Sequence, residues 1–155
     1  MIRLYAWPTP DARKIAVMLE ETGIAYQVER REQPPAIEDD EVPLGLAGPA
    51  AILIYLAERT GRLFPVERRY RYPTLEWLLL EEKDGARLCA ALERRLGDAE
   101  FLGGVYSIAD ISAYPWVMQH AEDGVELERY PALRRWAEAL GARVPVQRGM
   151  AALRR

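Results

Sequence analysis

The chain is short of the side chains that most often carry autonomous redox or metal chemistry: among 155 residues there is one cysteine, Cys89, and one histidine, His120. A lone sulfur excludes an internal disulfide, a Cys-x-x-Cys redox pair and a thiolate zinc cage, so thiol chemistry beyond one sulfur must be borrowed from a ligand. Cys89 lies among Leu88, Ala90, Ala91 and Leu92, the setting of a small inert core residue more than of a nucleophile. His120 has no cysteine or second histidine nearby and reads as a helix-end residue, not a ligand or a base. No apolar run reaches membrane-spanning length, and residues 3–11 are too polar and proline-rich for a secretory signal, which together point to a cytoplasmic protein with no membrane partner. Charge of one sign is scarce as well. The formal net charge is −3, and the arginines are spread among carboxylates rather than gathered in a stripe, which argues against nucleic acid as a partner. What is abundant is apolar surface, 50% of the residues, enough to bury a core as one domain or two small packed ones.

The most legible passage is Gly48 to Pro65, where start, body and stop of a helix are all marked. Gly48 suits the cap and Pro49 the first helical position, whose missing N–H has no intrahelical partner anyway. Ala51, Ile52, Ile54, Tyr55 and Leu56 form a stripe wide enough for more than one neighbour. Gly61 supplies a left-handed stop, and Pro65 prevents resumption. Before this helix, Ile2 to Trp7 alternates like a strand, and Thr9-Pro10-Asp11 opens a helix that ends at Gly23. Its buried face is Ile15, Ala16, Met18 and Leu19, its wet face Arg13, Lys14, Glu20 and Glu21. Ala25 to Arg30 is a second strand, parallel to the first by the handedness of such crossovers. Gln33 to Leu44 suggests a proline-weakened hairpin around the acidic run Glu38-Asp39-Asp40-Glu41. Successive carboxylates of an extended chain point to opposite sides, so the run reads as a solvated turn rather than a metal site.

A short basic stretch, 66–72, reads as a linker between a first unit over 1–65 and an all-helical unit over 73–155. Pro73 is expected to start the first helix there, and Leu88, Ala91, Leu92 and Leu96 mark a second, ended by Gly97; Asp84-Gly85 is either a turn between two helices or a weak spot in one. Ser107 and Asp110 have the spacing of a capping box, each able to satisfy an amide of the other's turn. Two further helices run from Pro131 to Leu140 and from Val146 to Leu153, and Trp77, Trp116 and Trp136 fall at core spacing.

Leu4-Tyr5-Ala6-Trp7-Pro8-Thr9-Pro10-Asp11, Ala51 to Gly61 and Leu102 to Asp110 carry a resemblance to the glutathione transferase family. The likeness is greatest to its bacterial members that reduce disulfides with bound glutathione and use a Thr near the first strand. The resemblance implies an α/β thioredoxin-like N-terminal domain followed by an all-α C-terminal domain, in a homodimer. It further implies glutathione as a substrate, no metal, and a small hydrophobic electrophile or disulfide as the second substrate. By the same resemblance Thr9 donates a hydrogen bond to the glutathione sulfur, a role that competes with simple helix capping. Pro35 is the expected cis-proline beside that sulfur, and Trp7, Asp11, Pro34, Gly48 and Pro49 complete the expected glutathione site.

Four departures from the family bear on that site. Gly48 and Pro49 stand where relatives carry an acidic residue and a Ser; Pro49 removes a hydroxyl and an amide donor, a loss of about 3 to 6 kcal/mol at about 1.5 to 3 kcal/mol per charge-assisted bond. Pro34 removes a backbone donor next to the cysteinyl group. Asp11 replaces an amide and, as an anion near a thiolate, would raise the thiol pKa. The chain is also shortened: the family's second helix is nearly absent between Arg31 and Pro34, and the helices between Trp77 and Leu96 are reduced. The expected function is therefore glutathione transfer or disulfide reduction, against the alternative of a non-catalytic transferase-fold module for binding or assembly.

Overall fold

In the computed structural model, which describes residues 1–154, the first strand is the spine of the N-terminal half. β1 (Ile2–Ala6) pairs in parallel with β2 (Tyr26–Arg30) and antiparallel with β3 (Ala36–Asp39), which pairs antiparallel with β4 (Leu44–Ala47), giving the order β2-β1-β3-β4. Leu4 sits opposite Val28 on one side and Ile37 on the other. Ile2, Leu4, Tyr5 and Ala6 are all buried, as a strand covered on both faces requires.

Seven α-helices follow the expected order among the described residues: α1 (Pro10–Thr22), α2 (Pro49–Thr60), α3 (Arg68–Leu78), α4 (Gly85–Leu96), α5 (Ile108–Glu122), α6 (Pro131–Gly141) and α7 (Val144–Ala151). The end signals act as read. Gly23 and Gly61 close α1 and α2 at φ 71 and φ 67, a region costly for side chains with a Cβ. Ser107 and Asp110 form the capping box of α5. Boundaries of two helices, α3 and α7, differ most, α7 ending at Ala151 rather than Leu153. The helix expected to start at Pro73 begins five residues earlier, at Arg68, with Pro73 inside it, and α7 begins at Val144. Asp84 accepts from the Arg87 amide at 2.9 Å, so Asp84-Gly85 is the start of a separate helix.

The largest correction concerns α1. Lys14 and Glu21, expected on a wet face, are 7% and 5% exposed. The helix is enclosed by α2, α5 and α7 as well as by the sheet, so nearly its whole circumference is interior. At the crossing with α7 the backbones nearly touch: a Cβ on Gly149 would lie 2.4 Å from Val17 Cα. Glu21 is satisfied there by Arg143, whose Nε and Nη2 donate to it at 2.8 and 2.9 Å, and by the Tyr106 hydroxyl at 2.6 Å. Burial by itself would raise the Glu21 pKa, but the bonds from Arg143 and Tyr106 outweigh it and hold the carboxyl below its usual range.

Asp39 corrects the reading of the acidic run as a solvated turn. It is 2% exposed and accepts from the Tyr55 hydroxyl, from Arg59 at 2.7 Å and from the Glu41 amide at 3.0 Å. The run ties the hairpin to α2, with Arg59 also pairing with Glu41. In the helical half, Trp136 and Leu140 are buried, and Cys89 is fully enclosed with its thiol pKa pushed up by burial. Among the described residues no helix is long and apolar enough to cross a membrane.

Candidate functional site

The site grows out of the turn between β1 and α1. Pro8 ends the strand, and Pro10 takes the first helical position without losing a bond. Thr9, between them, is the N-cap, extended at φ −123 and ψ 158, with its Oγ1 accepting from the Ala12 amide at 3.2 Å. A hydroxyl has one donor and two acceptor positions, so capping occupies one lone pair and leaves the O–H free to donate outward. The first-turn amides of α1 and the helix dipole favour negative charge at the same spot. Thr9 thus satisfies the structural role of a cap while retaining the donor that a thiolate needs.

Five of the residues singled out from sequence meet in one open cleft of about 770 Å³: Trp7, Thr9, Asp11, Pro34 and Pro35. Pro10 of α1, Glu32 and Gln33 of the connector, and Trp116 from α5 complete it. Pro49 lies in an adjoining cavity of about 580 Å³, mostly apolar, walled by Trp77, Leu78 and Leu88. Gly48, the α2 N-cap at φ 129, lines neither.

The peptide bond before Pro35 is trans, since no cis peptide occurs among the described residues; the expected cis-proline is not formed. Arg31 still pairs with Ala6 (N–H to carbonyl, 3.1 Å), so Glu32 to Pro35 carry the chain past β1 to β3.

Asp11 and Trp116 line both cavities and form the wall between them, joined by a bond from Trp116 Nε1 to Asp11 Oδ1 of 2.9 Å. Trp116, read as a packing residue, is therefore a site residue and is 36% exposed. The same Asp11 oxygen lies 3.0 Å from the Lys14 ammonium, which donates to Ser112 Oγ at 3.1 Å. Burial lowers the Lys14 pKa, and Asp11 works against that. Lys14, Ser112 and Trp116 were not anticipated in the site. Two spacings carried the signal: Asp11 and Lys14 are an i,i+3 pair, and Ser112 and Trp116 lie one turn apart on α5.

A parallel strand–helix–strand unit, a hairpin and a capped helix, followed by an all-helical half, with a Thr at the start of the first helix facing a Pro-Pro connector, define a protein of the glutathione transferase fold. The chain belongs to the glutathione S-transferase family: residues 76–139 match the family model for the glutathione S-transferase C-terminal domain. It is also 31% identical, over an alignment of 196 positions, to Disulfide-bond oxidoreductase YfcG of Escherichia coli K12, covering 92% of this chain and 91% of that protein. Two crystal structures are similar throughout. A glutathione transferase from Burkholderia graminis, with two glutathione molecules bound per subunit, superposes at TM-score 0.83 with 31% identity, covering 99% of this chain and 89% of that one. A glutathione transferase from Pseudomonas putida, with one glutathione disulfide bound per subunit, gives TM-score 0.85 with 28% identity, covering 96% and 90%.

Proposed function

We propose that this chain is a shortened glutathione transferase that binds glutathione in the Thr9 cleft and uses its thiolate against small disulfides or apolar electrophiles. The observation that carries the reading is Thr9, which lines the cleft with Pro34 and Pro35 from a helix N-terminus and whose hydroxyl, accepting from the Ala12 amide, keeps an O–H to donate. Cys89 is buried with a raised thiol pKa, so glutathione must supply the reacting sulfur. In disulfide reduction, one glutathione thiolate attacks a sulfur of the disulfide, forming a mixed disulfide and expelling a thiolate. A second glutathione then displaces the remaining half, leaving glutathione disulfide and two thiols. Thr9 stabilises the attacking thiolate through its donated hydrogen bond. The adjoining apolar cavity suits the second substrate. The alignment to the Escherichia coli relative is longer than this 155-residue chain, which supports the shortening. The family setting also supports a cytoplasmic homodimer with residues 1–65 as the glutathione-binding unit and the helices from Arg68 onward, not from Pro73, as the helical unit.

A second reading, a transferase-fold module that no longer binds glutathione, is favoured by Pro49. As the first residue of α2 it offers neither hydroxyl nor amide where relatives hold the amino-acid end of the ligand, and the loss corresponds to a factor of about 100 to 10,000 in affinity. Isothermal titration with reduced and oxidised glutathione separates the two. Binding at millimolar ligand, with turnover of a small disulfide that falls in Thr9→Ala and survives in Thr9→Ser, supports the enzyme; no heat at millimolar ligand supports the module.

A further inference from the structure

Asp11 poses an electrostatic problem for the thiol chemistry. Its carboxylate lies in the first turn of α1, two residues after Thr9, and lines the same cleft. A negative charge there would hold the bound thiol protonated. The geometry meets the problem from two sides. Lys14, one turn later, is 9% exposed at its side chain and places its ammonium 3.0 Å from Asp11 Oδ1. Ser112 Oγ takes a second proton of that ammonium at 3.1 Å, and Trp116 Nε1 donates to the same Asp11 oxygen at 2.9 Å. The carboxylate is therefore gripped by a cation from its own helix, which lines only the adjoining cavity, and by a donor from α5 that lines both.

We propose that Lys14 is a positioning residue for the thiol chemistry: its buried ammonium holds Asp11 against α5 and cancels its charge, so that a thiolate beside Thr9 faces no uncompensated carboxylate. This rests on the glutathione reading above. The remaining charged groups around the two cavities are Glu32 on the connector after β2 and Glu81, Glu82 and Lys83 after α3. The first turn of α2 and the α5 face bring Pro49, Ala50, Ser112, Ala113 and Trp116, none of them charged. Arg13, the other charge of the first turn, lines a separate cavity with Tyr114, Pro115 and Met118, so Asp11–Lys14 is the ionic couple at the wall between the two cavities. An interior ammonium is costly unless a carboxylate answers it, so each member of the pair accounts for the other.

The test is the pH titration of the thiolate ultraviolet absorbance of protein-bound glutathione in the wild type, Lys14→Met, Asp11→Asn and the double variant. Occupancy is measured independently by calorimetry with S-methylglutathione, which has no thiol to titrate. Lys14→Met is expected to raise the bound thiol pKa by about one unit, a tenfold loss of thiolate below it; Asp11→Asn is expected to lower it, and the double variant to return near the wild type. A purely structural Lys14 would weaken binding or folding without moving that pKa. An unchanged pKa in Lys14→Met that still binds S-methylglutathione overturns the proposal and leaves the glutathione reading intact. If Lys14→Met does not fold, Asp11→Asn decides: a lowered pKa supports the proposal and an unchanged one overturns it. A wild type that binds neither ligand removes the glutathione reading and this inference with it.

Discussion

At the scale of single residues, Asp110 shows how one carboxylate organises a loop and a helix at once. It is fully buried and accepts three N–H groups: the Leu102 amide at 3.0 Å, the Ser107 amide at 3.0 Å and the Trp136 indole at 2.8 Å. Asp110→Asn turns an amide NH₂ toward one of these donors and leaves it unpaired, which should cost about 1 to 3 kcal/mol in urea unfolding. Burial, against those hydrogen bonds, pushes the Asp110 pKa up to about 6. The folded state then binds a proton that the unfolded chain has lost, so the contribution of Asp110 to stability falls as pH rises through that window. Glu21 runs the other way. Its folded pKa is depressed, so its contribution is fully present above the unfolded carboxylate value of about 4.3 and is lost as pH falls through the folded value. Melting temperatures measured across acidic pH should therefore fall more steeply on acidification in the wild type than in Glu21→Gln.

At the scale of elements, α1 separates what the residues declare from what they conceal. Its ends were legible, because Thr9-Pro10 and Gly23 act locally through capping and a left-handed φ. Its circumference was not. Lys14 and Glu21 look like solvent residues until α5 and α7 cover them, and nothing within residues 10–22 encodes partners more than ninety positions away. The same distinction explains Asp39, whose partners Tyr55 and Arg59 lie on α2, and Trp116, whose spacing marks a helix face but not that Asp11 waits on the other side. For the site, Thr9, Trp7, Pro34 and Pro35 were readable because they lie in or beside short segments that resemble the family, whereas the spacing of Ser112 and Trp116 marks one face of α5 without saying what that face meets. The contact of α1 with α7 gives a sharp prediction. Gly149→Ala places a methyl group against the Val17 backbone, which cannot rotate away, and should destabilise by about 1 to 3 kcal/mol in chemical denaturation.

At the scale of the whole molecule, ligand occupancy should be readable as stability. Saturation of the folded chain at about a hundredfold over the dissociation constant adds about 2.7 kcal/mol, so millimolar glutathione should raise the melting temperature progressively if the cleft is its site. Pro49→Ser restores a hydroxyl and an amide at the α2 N-terminus and is expected to tighten glutathione about tenfold or more by titration calorimetry. The crossing of α1 and α7 has a further consequence for biosynthesis. Within the described chain α1 rests against the last helix, α7, so a nascent chain that has reached only Gly141 has Val17 uncovered and Glu21 without Arg143. Domains usually close from the N-terminus during translation. Here α1 stays uncovered until α7 has been made, and its exposure to chaperones or aggregation is set by how quickly residues 142–151 follow.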